Sequence, residues 1–248
     1  MNSASRELAV TQPAIPHYAS TVVLVRTAPN DSFEILMNRR PEKMDTYAGV
    51  YVFPGGRVEG SDWSEEMMSL IRGLTPLAAQ EKFAAKLQPE LCLGHWVAAV
   101  RELFEEVGVH FFAPQGGAVM DLVGKQICER LDEKRSALQQ GKIDFVTFLS
   151  SERLCCDVAP LAYFYHRITP EHYAVRFDTR FYLAVLPSHQ SVRHASEEVS
   201  ESLWISPREA LDRFETGHFP LMPPTVAVLK TLNSHASWQK LRAAFNLA

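Results

Sequence analysis

The sequence lacks any apolar run long enough to span a membrane, and it lacks an excess of basic residues. Its 25 lysine and arginine residues are outnumbered by 29 aspartate and glutamate residues, which gives a formal net charge of -4. A membrane-spanning helix needs about 20 consecutive apolar residues, and nucleic-acid-binding proteins usually carry a basic stripe or patch. We therefore expect neither a membrane nor a nucleic acid among the partners of this protein.

Cysteine is scarce, and the four cysteines form no CxxC pair (Cys92, Cys128, Cys155, Cys156). The first residues lack the basic start and apolar stretch of a secretory signal, and residues 246–248 do not form a peroxisomal address. Structural disulfides are typical of secreted proteins. These features predict reduced thiols in a cytoplasmic protein.

Hydrophobic residues make up 46% of the 248-residue chain, which is typical of globular proteins. Residues 1–16 contain two prolines and are expected to be a loose arm. Runs rich in β-branched or alternating apolar residues predict strands, and recurrent apolar spacing predicts helices. The strands are expected at 18–26, 33–39, 50–53, 161–168, 176–186 and 203–205. The helices are expected at 63–92 with a break at Thr75-Pro76, at 95–107, 121–140, 145–149, 206–214 and 226–232.

The order of these elements predicts an α/β protein with a single domain over residues 1–248, because strands flank the helical stretch on both sides. Local signals fix several helix ends. Thr75 and Ser206 precede helices as N-caps, and Gly108 follows residue 107 where a left-handed cap is expected. We expect Pro89 to interrupt the helical stretch, and the charged face of 121–140, including Arg135, to be solvated.

The segment Arg101–Val109 carries the main chemical signal. Glu102, Glu105 and Glu106 are spaced i, i+3 and i+4, so they share one face of the helix. Three crowded carboxylates repel one another unless a positive charge lies between them. A hard divalent cation with oxygen ligands meets that need. Taken alone, however, such a triplet is more often an ordinary solvated helix surface, so the flanking residues decide the interpretation.

Those flanking residues resemble a known motif. Arg101–Val109 reads Arg-Glu-hydrophobic-x-Glu-Glu-x-Gly-hydrophobic, which is similar to the second half of the Nudix box at every fixed position. Residues 53–59 (Phe-Pro-Gly-Gly-Arg-Val-Glu) resemble the loop that begins the box. Counting from Gly56 places Asp62 where the family has a glutamate. The family has seven residues between this position and the arginine, whereas this chain has 38 (63–100), an excess of 31.

The long separation resembles the interrupted Nudix box of mammalian peroxisomal coenzyme A diphosphatases and their bacterial relatives. Residues 176–181 (Arg-Phe-Asp-Thr-Arg-Phe) and 221–225 (Leu-Met-Pro-Pro-Thr) look like further segments of that branch. The resemblance implies a Nudix fold, in which a mixed β-sheet is sandwiched between helices, with a helical insertion at 63–93.

The resemblance also implies a mechanism, in which water attacks a diphosphate with the help of Mg²⁺, or of Mn²⁺ as its substitute. Arg101 would orient Glu105. A second acid is expected from the loop 196–201, with Glu198 as the first choice for base or additional ligand and Glu197 as the second; a solvated acidic loop is the equal alternative. The implied metal ligands are Glu102, Glu105, Glu106 and the backbone carbonyl of Gly55 or Gly56.

Three arginines, Arg39, Arg176 and Arg180, are candidates to bind substrate phosphates, although each has the alternative of an ordinary ion pair. The predicted substrate is a small-molecule diphosphate, with coenzyme A or an acyl-CoA favoured. ADP-ribose, a dinucleoside polyphosphate and a nucleoside triphosphate stay open. A non-catalytic Nudix-fold sensor is the alternative of another class, and the presence of all the second-half box residues disfavours it. A homodimer is the expected assembly.

Overall fold

The structure is a computed structural model, and it describes residues 13–43, 48–117, 124–193 and 199–247. Ten strands and eight α-helices fall within these ranges. The strands are β1 (His17–Ala28), β2 (Ser32–Arg39), β3 (Tyr51–Val52), β4 (Gly55–Arg57), β5 (Ile71–Arg72), β6 (Phe112–Pro114), β7 (Leu154–Asp157), β8 (Ala162–Ile168), β9 (Phe177–Val185) and β10 (Glu201–Ile205). The helices are α1 (Glu65–Met68), α2 (Pro76–Phe83), α3 (Pro89–Val107), α4 (Lys125–Gln139), α5 (Phe145–Ser151), α6 (Pro207–Glu215), α7 (Pro223–Asn233) and α8 (Trp238–Phe245).

Strand β1 is the centre of the main sheet, whose order is β10-β2-β1-β9-β8, with β3 beside β2 and β4 beside β1. It runs parallel to β9 and antiparallel to β2 and β4, so the sheet is mixed as predicted. Strands β1 and β2 form an antiparallel hairpin. Its turn uses Asn30 and Asp31 at φ 59° and 56°, and these two residue types tolerate the left-handed conformation in turns.

Alternate residues of β1 face two different apolar layers. Val22 and Leu24 pack in one core cluster with residues of α3 such as Trp96, whereas Val23 and Val25 pack in a second cluster with residues of α6, α7 and α8. Because side chains alternate across a strand, one valine-rich strand supplies both cores. The predicted sandwich of a sheet between helices is therefore confirmed.

The insertion is less uniformly helical than expected. It comprises a 3-10 turn at Gly60–Trp63, then α1, β5 and α2. The N-cap at Thr75 is confirmed, since its Oγ1 accepts a hydrogen bond from the Ala78 backbone N–H at 3.3 Å. Met67 and Ala79 are fully buried in the same cluster as α3. Strand β5 joins β7 and β6 in a second, three-stranded sheet that was not predicted.

Helix α3 is longer than predicted. It begins at Pro89 rather than His95, because proline is favoured in the first turn, where its missing N–H group needs no partner. The break expected at Pro89 lies just before it, at residues 84–88, and Pro89 itself begins the next helix. The predicted end is correct, with Gly108 as a left-handed cap at φ 70°.

The last helices agree in part with the sequence. The N-cap at Ser206 is confirmed, whereas helix α8 was not predicted. All four cysteines are free thiols. Across the described ranges, every helix is too short or too polar to cross a bilayer.

Candidate active site

The glycine loop and helix α3 meet at very short distances. Strand β4 pairs with β1 so that Gly56 lies opposite Ser20. A Cβ atom on Gly55 would lie 2.3 Å from the Ser20 carbonyl oxygen, and a Cβ atom on Gly56 would lie 2.3 Å from Oε1 of Glu102. Since real Cβ contacts are not this short, only glycine lets the loop approach the strand and the acidic helix together.

Arg101 joins the two halves of the interrupted box. Its Nε donates to Oδ1 of Asp62 at 2.8 Å, and its Nη2 donates to Oδ2 at 3.0 Å. Nη2 also donates to the carbonyl oxygen of Arg57 at 2.9 Å. The insertion therefore leaves the box at Asp62 and returns at Arg101, so its two ends are held together by a bidentate ion pair.

This ion pair is almost completely buried, with side-chain exposures of 6% for Arg101 and 0% for Asp62. Burial alone would lower the pKa of Arg101, but the adjacent Asp62 carboxylate raises that pKa above its usual value, so the guanidinium stays charged. Asp62 also accepts a hydrogen bond from the Glu59 backbone N–H at 2.8 Å. Removing one partner of such a buried pair typically costs about 3–5 kcal/mol of stability.

Two of the predicted acids, Glu102 and Glu105, lie beside Arg101, and the third, Glu106, contacts both the loop and the sheet. Glu102 accepts from Nη1 of Arg101 at 2.9 Å, and Oε1 of Glu105 lies 3.6 Å from the same nitrogen. Glu106 accepts from the Gly55 backbone N–H at 3.3 Å and from Nδ2 of Asn38 at 3.2 Å. The three acids therefore share one helix face, and the orientation of Glu105 by Arg101 stays a prediction.

Burial makes two of these carboxylates, Glu102 and Glu105, reluctant to ionise. The pKa of Glu102 is raised to about 7, mainly by burial; Arg101 opposes this rise and the nearby Glu105 adds to it. Burial is also the main cause of the raised pKa of Glu105. One arginine therefore does not fully compensate the acids, and a further cation would favour their charged forms.

The residue types fit a hard divalent cation, which prefers carboxylate and carbonyl oxygens. The side chains are nevertheless bonded to protein donors, and the described residues contain no group of three or more His, Cys, Asp or Glu arranged to hold a metal. Binding a cation here requires Glu102, Glu105 and Glu106 to exchange some of these contacts for the metal.

The three candidate arginines are engaged within the protein. Arg39, which is partly exposed, pairs with Glu42 at 2.6 Å and donates to the Gly49 carbonyl oxygen at 3.3 Å. Arg176 donates to the carbonyl oxygens of Thr169 and Ala14, at 3.0 and 2.7 Å, and so holds the end of the N-terminal arm.

Arg180 is buried, pairs with Asp178 and lies 4.9 Å over the ring of Phe83 in helix α2. The contacts of Arg176 and Arg180 are those of structural residues, whereas Arg39 lies next to Asn38, which contacts Glu106. Binding of substrate by any of the three arginines stays a prediction.

The expected second acids, Glu197 and Glu198, lie outside the described residues. The described residues on either side are anchored, one to the end of the acidic helix and the other to the end of β2. The Arg193 backbone N–H donates to the Val107 carbonyl oxygen, and the Ser200 backbone N–H donates to the Arg39 carbonyl oxygen, both at 2.9 Å.

Two residues of the site were missed from the sequence. Asn38, a polar residue in an otherwise apolar run of β2, contacts Glu106. Arg135 was expected on a solvated face of α4, but it is only 2% exposed. Its guanidinium donates to the carbonyl oxygens of Glu105 and Glu106, which explains its burial.

Comparison with known proteins shows the family of this chain. A family model described as the NUDT19 Nudix domain matches residues 14–232. The acyl-coenzyme A diphosphatase NUDT19 of Gallus gallus is 28% identical over 274 residues, covering 92% of this chain and 71% of that protein. The putative nudix hydrolase 7 of Caenorhabditis elegans is 30% identical over 209 residues, covering 82% of this chain and 57% of that protein. A crystal structure of a NUDIX hydrolase from Alicyclobacillus acidocaldarius has a TM-score of 0.70 and 29% identity, covering 91% of this chain and 94% of that one.

The chain therefore belongs to the NUDT19 Nudix domain family, and it is a Nudix hydrolase. The predicted resemblance to the branch with an interrupted box and the predicted α/β Nudix fold are both confirmed. The chain spans less than two thirds of the length of some curated relatives, including the Caenorhabditis elegans protein.

Replacing Gly56 by alanine should damage the acidic site while preserving the fold. The new Cβ would displace the carboxylate of Glu102, which is the far end of a flexible side chain, so the loop itself need not move. We expect Gly56→Ala to reduce turnover about tenfold or more while changing the free energy of unfolding by less than about 1 kcal/mol. Gly60→Ala is the matched control, because nothing lies within 4 Å of its Cβ position. Equal activity of the two variants would contradict the close contact between Gly56 and Glu102.

The raised pKa of Glu102 predicts a pH dependence of stability in EDTA. The folded protein holds this proton up to about pH 7, whereas an unperturbed glutamate releases it near 4.5. The stabilising contribution is therefore fully present below pH 4.5 and is lost as the pH rises through 7. The melting temperature of the wild type minus that of Glu102→Gln should fall between pH 5 and pH 8. A difference that stays constant would show that the pKa of Glu102 is not raised.

Proposed function

We propose that this protein is a metal-dependent diphosphatase that hydrolyses coenzyme A or an acyl-CoA at its diphosphate. The buried pair Arg101–Asp62 is the observation that carries the proposal. It brings the glycine loop against Glu102 in spite of the 38-residue separation within the box. Similarity to proteins named acyl-coenzyme A diphosphatase supports the choice of substrate.

The proposed metal is Mg²⁺, with Mn²⁺ as a substitute. When bound, it would offset the negative charge of the diphosphate oxygens during attack by water. The proposed ligands are the carboxylates of Glu102, Glu105 and Glu106 and the carbonyl oxygen of Gly56. Glu106 is held between Asn38 and the Gly55 N–H, so it links strand β2, the loop and the helix at one point.

Arg101 organises this set rather than contacting substrate. Two of its nitrogens bind Asp62, and the third, Nη1, faces Glu102 and Glu105. A guanidinium presents its donors in a fixed plane, so the direction of Nη1 is determined by the pair with Asp62. Glu105 would thereby be oriented as a ligand of the proposed metal.

Activation of the attacking water is proposed for Glu198, with Glu197 as the second candidate. The contacts of Arg193 and Ser200 support this proposal, because these two residues flank Glu197 and Glu198 in the sequence and bond to α3 and to the end of β2. A general base has to lie within hydrogen-bond reach of the water that it deprotonates.

Arg39 is the proposed phosphate contact, because it is partly exposed and follows Asn38 directly. Exchange of Glu42 for a substrate phosphate would preserve a charge-assisted hydrogen bond. The single domain, the homodimer and the cytoplasmic location stay predictions.

Parallel assays with coenzyme A, ADP-ribose and NADH in the presence of Mg²⁺ test the proposal. We expect coenzyme A to be cleaved to 4′-phosphopantetheine and 3′,5′-ADP, with the highest kcat/KM of the three. Glu106→Gln should lower turnover about 1000-fold, since a catalytic metal contributes several kcal/mol. Glu209→Gln, a change at an exposed glutamate of α6, is the matched control.

Preference for ADP-ribose or NADH would contradict the proposed substrate. Near-normal turnover by a folded Glu106→Gln protein would contradict the metal site. If none of the three compounds were cleaved but one raised the melting temperature, the protein would be a metabolite sensor instead.

A further inference from the structure

The acidic helix ends in an electrostatically unfavourable way. Glu105 and Glu106 lie in the last turn of α3, where the helix dipole is negative and carboxylates are disfavoured. This last turn has no basic residue of its own. The final carbonyl groups of a helix also lack partners within the helix, so both charge and hydrogen bonding must be supplied from elsewhere.

Helix α4 supplies both the positive charge and the hydrogen-bond donors for the end of α3. Nε of Arg135 donates to the Glu105 carbonyl oxygen at 3.0 Å, and its Nη2 donates to the Glu106 carbonyl oxygen at 2.9 Å. Nε2 of Gln139 donates to the Glu105 carbonyl oxygen as well. Arg135 and Gln139 are four residues apart, so one face of α4 meets the end of α3.

Every carbonyl group of the last turn of α3 thereby has a donor. The Phe104 carbonyl oxygen accepts from the Gly108 N–H, and the Val107 carbonyl oxygen accepts from the Arg193 N–H, both at 2.9 Å. The two carbonyl groups between them are the ones bound by α4. These two belong to the residues whose side chains are proposed to bind the metal.

The cap glycine makes room for this contact. A Cβ atom on Gly108 would lie 2.8 Å from Nη1 of Arg135. Asp132, one turn before Arg135, pairs with Arg193 at 2.5 Å. The same face of α4 therefore also holds the residue that binds the Val107 carbonyl group.

We propose that Arg135 is a positioning residue for the hydrolase reaction, and that Gln139 assists it. The buried guanidinium of Arg135 fixes the peptide groups of Glu105 and Glu106. It therefore fixes the backbone positions from which their carboxylate side chains extend. Its charge also offsets the negative end of the helix that carries them. This inference rests on the proposed metal site.

Arg135→Met should weaken the binding of Mn²⁺ about tenfold, which is the lower end of the range for loss of a residue that orients metal ligands. Binding is measured directly from the electron paramagnetic resonance signal of the free ion. We expect kcat at saturating Mn²⁺ to fall, while KM for coenzyme A stays within about twofold of the wild type. Arg135→Lys should be intermediate, because one ammonium cannot reproduce the planar pair of donors.

Arg130→Met is the matched control on the same helix. Arg130 pairs with Glu152 at 2.7 Å, so this variant also removes an ion pair made by an arginine of α4. Its affinity for Mn²⁺ and its kcat should equal those of the wild type. The comparison separates positioning of the acids from a general loss of stability.

Wild-type Mn²⁺ affinity and kcat in a folded Arg135→Met protein would overturn the inference. If Arg135→Met shows no cooperative unfolding transition, Mn²⁺ affinity and kcat are measured for Gln139→Leu instead. We expect this variant to bind Mn²⁺ more weakly than the wild type. Unchanged Mn²⁺ binding and unchanged kcat would overturn the inference. Failure of the wild type to bind Mn²⁺ would instead overturn the proposed metal site itself.

Discussion

The buried ion pair between Arg101 and Asp62 is the constraint on which the site depends. A chain that leaves the box for 38 residues has no local reason to return to the same place. The bidentate contact makes that return specific, because a guanidinium and a carboxylate satisfy each other fully in only a narrow range of geometries. The third nitrogen of Arg101 then faces Glu102 and Glu105, so the interaction that closes the insertion also orders the acids.

The acidic helix is held at two levels along its length. Arg101 fixes the glycine loop over Glu102, and Arg135 binds the carbonyl groups of the last turn. Both arginines are buried, but only Arg135 acts on the end of the helix, whereas Arg101 acts on side chains within it. The glycines explain how so many groups fit: at Gly56 and Gly108 a side chain would occupy the space of Glu102 or Arg135.

Much of this arrangement could be predicted from local sequence signals. The spacing of Glu102, Glu105 and Glu106 determines a shared helix face, and Gly108 marks the helix end. Asp62 could be found by counting from Gly56.

The burial of Arg135 could not be predicted from the sequence, because a charged residue in a charged helix is expected to be solvated until its partner in another helix is known. The two-residue strand β5 and its partners were missed for a similar reason, since pairing between distant short segments leaves almost no local pattern. The early start of α3 was missed because Pro89 was taken as a break rather than as a first-turn residue.

The most direct test of this account is the anomalous scattering of Mn²⁺ in crystals of the protein. We expect a metal peak bounded by the carboxylates of Glu102, Glu105 and Glu106 and by the glycine loop, with the Arg101–Asp62 pair intact. A peak bound by other residues, or a metal-bound structure in which Asp62 has left Arg101, would contradict it.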